Sequence, residues 1–279
     1  MNLRIAPIVP LCLLCAGLTF GTIPALAQSQ SNQPTGPSKY LYISNNMVRA
    51  GHFGDFYKTE ADEVQARRAA NAPGHYIGTS PVTGVGDVVF FYAFDSFDEL
   101  QKNHDAMMGM SQLMDRLHAD NAAEAPMLSD QFTSIYQYQP DLSLHVDRKV
   151  EDARFLDITI FHVKSGHHHD FEALVKVFAK AQANNPDVNW AAFQKMYGQG
   201  SDDTYIMITL LKSLADVDQE VLNDAKLPEA MGKNQLQLNM EMGSMVIKSS
   251  ENDILAFNPK ISYVPDHWLT EQPDFWGKK

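Results

Sequence analysis

The amino-acid sequence contains one pattern of residues twice. Self-similarity at a nearly fixed spacing, here about 115 to 125 residues, marks a duplicated structural unit and constrains the fold more than any single motif does. The matching pairs are VRAGHFGDF (Val48–Phe56) and VKSGHHHDF (Val163–Phe171), VVFFYAFDSFDEL (Val88–Leu100) and YIMITLLKSLADV (Tyr205–Val217), and Phe132–Asp141 and Phe257–Asp266. The pairs occur in the same order in both halves, so we expect both halves to fold in the same way.

Each half predicts the same series of strands and helices. Alternating β-branched and aromatic residues indicate strands, and a hydrophobic period near 3.6 indicates helices. The predicted elements are strand 40–48, helix 51–71, strands 75–81 and 87–94, a helix from Phe97 and a strand ending at Tyr138, followed by strand 155–163, helix 166–184, strands 190–197 and 204–211, a helix from Leu214 and a strand ending at Tyr263. This order predicts an α+β fold of two tandem ferredoxin-like β-α-β-β-α-β repeats. Leu236–Lys248 stays open, because its residues alternate like a strand whereas the repeat places a helix there.

The ends of the chain predict its address and its boundaries. Arg4, an apolar run and Ala25-Leu26-Ala27 have the pattern of a signal peptide over residues 1–27, so we expect a secreted or periplasmic protein with no membrane span after cleavage. The predicted segments are 28–39 as a flexible linker, 40–141 as the first repeat, 142–154 as a second linker, 155–266 as the second repeat and 267–279 as an aromatic tail. The tail either packs back across the protein or contacts a partner.

Composition excludes several classes of function. Both cysteines, Cys12 and Cys15, lie in the predicted signal peptide, so the mature chain has no disulfide, no thiolate metal site and no cysteine nucleophile. The net charge of −12 repels phosphate backbones, which makes nucleic acid a poor partner.

One motif resembles a known superfamily. The segment DSFDELQKNHDAM (Asp95–Met107) is an aromatic strand end followed by a helix that contains His104. It resembles the dimeric α/β-barrel superfamily, which includes antibiotic-biosynthesis-monooxygenase-like, stress-responsive barrel and NIPSNAP-like proteins. The resemblance implies that the two repeats pack sheet against sheet as an intramolecular pseudo-dimeric α/β barrel, hence a monomer, and that His104 is the candidate catalytic residue. The second repeat lacks this histidine.

The three consecutive histidines, His167 to His169, most simply begin a helix. Neighbouring helical residues point about 100° apart, so they do not converge on one ion and no metal site is expected. Both repeats share a histidine and an aspartate here, which either stabilise a helix start or line a pocket. The candidate pocket residues are His52, Asp55, His75, Tyr92, His162, His167, Asp170 and Tyr205.

Two classes of function follow. The first is an exported, non-catalytic barrel that binds a small, mostly apolar ligand or a protein partner, and the missing G-x-S-x-G and H-E-x-x-H motifs favour it. The alternative resembles the cofactor-independent monooxygenases of the superfamily, with His104 polarising a phenolic or quinone-like substrate. No cofactor is expected, except that a haem-binding barrel, also known in the superfamily, would need an axial histidine such as His104 or His162.

Overall fold

The computed structural model describes residues 36–200 and 203–277. The strands are β1 (Tyr40–Val48), β2 (Ile77–Pro81), β3 (Asp87–Phe94), β4 (Leu128–Tyr138), β5 (Phe155–Val163), β6 (Ala191–Gly198), β7 (Thr204–Leu211) and β8 (Ile247–Phe257). The helices are α1 (Phe53–Ala70), α2 (Phe97–Met108), α3 (Ser111–Glu124), α4 (His168–Gln182), α5 (Ala215–Asp224), α6 (Leu227–Met231), α7 (Lys233–Val246) and α8 (Asp266–Glu271). The predicted signal peptide and most of the first linker lie outside these residues.

The eight strands form one closed antiparallel barrel. Their order around the barrel is β1-β3-β2-β8-β5-β7-β6-β4, and β4 pairs with β1 to close it. β1 lies between β3 and β4, and β5 lies between β7 and β8 in the same way. Pairing of β2 with β8 and of β4 with β6 joins the two groups of strands. The α+β class and the barrel are therefore confirmed.

The inner face of the barrel is packed with apolar side chains. Strand residues alternate between the two faces of a sheet, so every second residue points inward. The inward residues Ile43, Phe91, Phe193 and Ile206 are buried in one continuous cluster. Apolar burial of this kind is the main source of folding free energy, worth about 25 cal/mol for each Å² removed from water.

The aromatic tail closes one end of this cluster. Trp276 is 3% exposed and belongs to the barrel core together with Phe257 and Val264. The indole nitrogen of Trp276 donates a hydrogen bond to the carbonyl oxygen of Glu151 at 3.0 Å. Of the two roles predicted for the tail, the structure therefore shows packing across the protein.

Several bounds differ from the sequence prediction by one or two residues, and the second helix predicted for each half is divided, into α2 and α3 in the first half and into α5, α6 and α7 in the second. The open segment is helical, because α7 continues to Val246 before β8 begins. The last strand ends at Phe257, and the prediction that it ends at Tyr263 is wrong. A 3-10 turn begins at Pro259, as one begins at Pro140 after β4, because proline cannot donate the next ladder hydrogen bond.

Candidate functional site

The helix α5 presents its polar side to the protein. Leu214, just before the helix, and Val221 and Leu222 within it are 46%, 65% and 56% exposed, whereas Asn223 is 2% exposed. Gln219 and Glu220 are half-buried on the inward side. A helix on a globular protein normally buries its apolar side, so this inverted arrangement needs a polar surface beneath it.

The sheet under α5 supplies that polar surface. Asn252 on β8 donates hydrogen bonds from its amide to Asp157 Oδ1 at 3.0 Å and to Thr159 Oγ1 at 2.8 Å, both on β5. The hydroxyl of Thr209, on β7, donates to the carbonyl oxygen of Asn189 at 3.0 Å. The part of the sheet face next to α5 is therefore held by polar contacts, whereas the part under α4 is apolar.

A cleft of about 510 Å³ opens between α5 and the segment that leads into β5. Its lining includes Arg148, Asn189, Leu210, Lys212, Gln219 and Glu220. We call it the α5 cleft. Acidic side chains outnumber basic ones in its lining by five to three. The cleft is therefore charged, with an excess of negative groups.

Arg148 is fixed in one wall of the α5 cleft. Its guanidinium donates to the carbonyl oxygens of Asp187 at 3.0 Å and Leu210 at 3.1 Å. With the Asn189 amide oriented to present its oxygen, that oxygen accepts from the same guanidinium within 3.3 Å. A guanidinium has five N–H donors, and these partners engage all its nitrogens, so Arg148 supplies positive charge more than free donors.

Among the residues that line the cleft, Glu220 has a strongly shifted pKa. Burial, and then the nearby carboxylates of Asp157 and Asp224, raise the pKa of Glu220 to about 7, while Arg148 partly opposes the shift. Burial also raises the pKa of Asp157, and the Asn252 hydrogen bond partly opposes it. A carboxyl group with a pKa near neutrality can either give or take a proton under ordinary conditions. The α5 cleft can therefore bind a charged molecule and exchange a proton with it.

The residue predicted to be catalytic does not face an enclosed site. His104 is exposed on α2, and it is Asn103 beside it that contacts the sheet, by a hydrogen bond of 2.5 Å to the Tyr92 hydroxyl. Burial raises the pKa of Tyr92, and this hydrogen bond partly opposes the shift. His75 is also exposed and stacks on Tyr263, with ring centroids 4.9 Å apart. A catalytic role for His104 stays a prediction without geometric support.

The predicted histidine and aspartate pairs lie at helix starts. His52 and His167 directly precede α1 and α4, and Gly51 and Gly166 before them have φ values of 88° and 84°, which favour glycine. His167 Nδ1 lies 2.9 Å from Asp170 Oδ2. His52 and Asp55 show no such bond in the described residues.

Tyr205 and His162 lie on opposite faces of the second group of strands. Tyr205 is fully buried under α4, and its hydroxyl donates to Glu172 at 3.0 Å. His162 Nδ1 lies 3.3 Å from Thr204 Oγ1, and its Nε2 lies 3.9 Å from Glu251. The predicted pocket residues therefore occupy several separate places, and none of them lines the α5 cleft.

The described residues contain no metal-ligand cluster, and the two histidines predicted as possible haem ligands lie outside an enclosed apolar site. No group of three or more histidine, cysteine, aspartate or glutamate side chains within residues 36–200 and 203–277 is arranged to hold a metal ion. His104 is exposed and His162 is engaged by Thr204 and Glu251, so neither histidine is presented as an axial ligand in an enclosed apolar site. In the same described residues, no helix is long and apolar enough to cross a membrane.

The exposed pair at the start of α4 should contribute little to stability. We expect His167→Ala to change the free energy of unfolding by less than about 1 kcal/mol, since exposed ion pairs rarely contribute more. Urea unfolding followed by circular dichroism measures the change, with Lys180→Ala on the same helix as an exposed control. A loss several times larger would show that the pair has a structural role.

Comparison with known proteins identifies the fold. An anthrone oxidase-like protein is similar at a TM-score of 0.54 and 11% identity, over 79% of this chain and 92% of that chain. A candidate monooxygenase from Fusobacterium nucleatum is similar at a TM-score of 0.50 and 9% identity, over 79% and 93%. A haem-binding protein from Thermus thermophilus matches at a TM-score of only 0.42 and 10% identity, over 84% and 94%, which is too low to support an argument.

These likenesses show the fold of the chain. Because 79% of this chain is more than either half supplies, the similarity extends over both groups of strands. No protein-family model matches the sequence, and no curated protein matches it. The chain has the dimeric α/β-barrel fold, as the resemblance of Asp95–Met107 predicts.

Proposed function

We propose that the chain is an exported binding protein, in which two ferredoxin-like repeats form one barrel and the α5 cleft takes a small molecule that carries a basic amine. The observation that carries the proposal is the inverted α5, whose polar side closes a charged cleft over a polar sheet face. The charged lining favours a cationic ligand over the mostly apolar one predicted from the sequence.

The charges of the cleft support an amine in particular. The carboxylates of Asp157 and Asp224 raise the pKa of Glu220, so a positive charge placed beside Glu220 in the cleft would relieve this repulsion. The charge of Arg148 offsets part of this repulsion, but its donors are taken by the oxygens of Asp187, Leu210 and Asn189 and leave the Glu220 carboxylate open to a ligand amine. Charge complementarity of this kind contributes to specificity more than to raw affinity.

The strand arrangement supports the duplication. β1 to β4 and β5 to β8 have equivalent neighbours, and the two groups meet along the β2–β8 and β4–β6 pairs. A single chain then supplies both halves of the barrel, which makes a monomer the expected state. Residues 40–141 and 155–266 remain the proposed repeats, with export directed by residues 1–27.

Binding of an amine should depend on pH with a definite sign. Glu220 gains its negative charge as the pH rises through about 7, so affinity should increase over this range, by about tenfold between pH 6 and pH 8. Isothermal titration with a panel of small primary and secondary amines measures the effect. Glu220→Gln should remove both the affinity and its pH dependence.

A control on the same helix separates binding from folding. Asp218 is exposed on the opposite side of α5, so Asp218→Asn removes a charge without touching the cleft. It should bind as the unmodified protein does. Equal loss in both variants, or affinity that falls as the pH rises, would contradict the proposal.

Native mass spectrometry of the purified protein, with an absorption spectrum of the same sample, would identify a co-purified amine or haem.

A second candidate function is proton abstraction from a phenolic or quinone-like substrate. It is favoured by Glu220, whose pKa of about 7 suits a general base. The similarity to an anthrone oxidase-like protein shows the fold alone, but it suggests anthrone, a ketone that becomes a phenol when a proton moves from carbon to oxygen, as a probe for an activity assay. In that case Glu220→Gln would still bind the substrate and would lose turnover, whereas His104→Ala would retain it.

A further inference from the structure

The helices α1 and α3 pack on each other through a narrow apolar contact. Val64 on α1 meets Leu113 and Leu117 on α3, and all three are buried. Met110, just before α3, and Met114, within it, are half-buried at the edge of this contact. Methionine is flexible and polarizable, so a contact edged with methionine adapts readily when its parts move.

Beside the apolar contact, the same two helices bring four carboxyl groups together. Glu60 and Glu63 belong to α1, and Asp120 and Glu124 belong to α3. Their electrostatic influence on one another shows that they share one region. Like charges at short range repel, so a cluster of this kind needs cations or protons.

The cations of this region already have acidic partners. Arg67 lies 3.6 Å from Glu63, and Arg116 Nε lies 2.6 Å from Asp120 Oδ2. A second nitrogen of Arg116 is 4.0 Å from Asp62. No ion pair reaches Glu60 or Glu124 within the described residues. Glu60 and Glu124 therefore lack an ion-pair partner, although the Arg67 charge partly opposes the rise in the pKa of Glu60.

Of Glu60 and Glu124, Glu124 has a buried carboxyl oxygen that lacks a hydrogen-bond partner. Its side chain is 5% exposed, and the oxygen is Oε1. Burial, and then Glu63 and Asp120, raise the pKa of Glu124 to about 8. Glu60 is shifted in the same direction, because burial and then Glu124 and Glu63 raise its pKa well above the ordinary value.

A tyrosine forms the remaining titratable neighbour. Tyr76 lies before β2, close to Arg67, and burial raises its pKa far above the ordinary value for tyrosine. It stays neutral and so does not neutralise either glutamate. The electrostatic energy of the contact is therefore set by the charge on Glu60 and Glu124 and by Arg67 and Arg116, each of which already has an acidic partner.

We propose that α3 is a pH-sensitive lid over the methionine-edged contact with α1, closed while Glu60 and Glu124 are protonated and loosened when both ionise. A carboxyl group whose pKa is raised by folding binds more protons in the folded state than in the unfolded one. Its contribution therefore favours the closed contact at low pH, and that contribution falls as the pH rises from about 4.5 through about 8. Opening would expose the apolar faces of Leu113 and Leu117.

Methionine oxidation by hydrogen peroxide tests the lid in the full chain. Peroxide converts exposed methionine to the sulfoxide, and the product is quantified residue by residue in peptide digests by mass spectrometry. We expect the oxidation rates of Met110 and Met114 to rise about fivefold between pH 6 and pH 9, because local opening exposes them. Met240 is 66% exposed on α7 and serves as the internal control, with a rate that stays constant.

Two variants keep the test decisive. Glu124→Gln has nearly the same shape and cannot ionise, so it should keep the oxidation of Met114 slow at pH 9. Glu60→Gln should have a smaller effect in the same direction, and it covers the case in which Glu124→Gln does not fold. Glu241→Gln, on the exposed side of α7, should leave the pH dependence unchanged. Rates of Met110 and Met114 that do not change with pH, or an unchanged rise in both glutamate variants, would overturn the lid.

Discussion

Replacing Trp276 with alanine should lower the free energy of unfolding by about 3–5 kcal/mol, the usual cost of removing a large buried aromatic side chain. The ring centroid of Trp276 lies 5.8 Å from that of Phe257, 5.1 Å from that of Trp268 and 4.9 Å from that of Phe275. Its loss also leaves the carbonyl oxygen of Glu151 without the indole donor. Since whole domains are stable by only about 5–15 kcal/mol, the variant should be near the limit of folding.

Urea unfolding followed by circular dichroism measures this loss as a lower midpoint with an unchanged slope. Tyr197→Ala is the matched control, because Tyr197 is also a large aromatic residue on the barrel but is 59% exposed. It should cost less than about 1 kcal/mol, as surface substitutions usually do. A Trp276→Ala protein as stable as the control would show that the tail only covers the barrel.

The sequence allows the barrel to be predicted because each strand alternates between two environments. β3 is an example: Val89 and Phe91 point into the barrel core, while Val88 and Phe90 contact the helix layer. Because both faces of β3 are covered, its positions after Asp87 are all apolar or aromatic. The sequence therefore predicts Asp87–Phe94 as a strand, and the structure confirms these bounds. The closure of the barrel follows from the family resemblance and not from any one strand.

The predicted end of the last strand is too late in the chain. The match between Phe132–Asp141 and Phe257–Asp266 favours a strand up to Tyr263, whereas the proline at 259 indicates a turn. The run Ile261–Val264 is apolar except for Ser262 and resembles a strand, but Pro259 starts a turn after Phe257. Tyr263 is instead held by one isolated pairing, in which its carbonyl oxygen accepts from the amide of Tyr76 at 2.9 Å. Aligning Pro259 with Pro140 would have placed the end of the strand correctly.

The candidate site was not predicted because it breaks the rule on which the helix prediction rests. In α5 the apolar Val221 and Leu222 face the solvent, while Glu220 and Asn223 face the protein. Hydrophobic periodicity identifies such a helix, but it predicts that the apolar side is buried and the polar side is exposed. The available signal is Asp157, the one carboxylate of β5, since a charge that is partly buried in a sheet needs a partner or a function.

Separating the two groups of strands should abolish the soluble monomer. A fragment of residues 36–145 leaves β2 and β4 without their outer partners, and a fragment of residues 146–277 leaves β6 and β8 in the same condition. Unpaired strand edges and an uncovered apolar face both promote association. We therefore expect each fragment alone to aggregate or to self-associate, with less than about a tenth recovered as monomer on analytical ultracentrifugation.

Co-expression of the two fragments is the control for this experiment. The β2–β8 and β4–β6 pairs would form between the fragments as they do within the chain, so a soluble complex of one copy of each should be recovered. Trp276 in the second fragment would then pack on the common barrel core, and Trp276→Ala should weaken the complex. A fragment that stays monomeric, with sharp cooperative unfolding of its own, would show that the shared core is dispensable. The two halves would then be independent domains, and an obligate single-chain pseudo-dimer would be excluded.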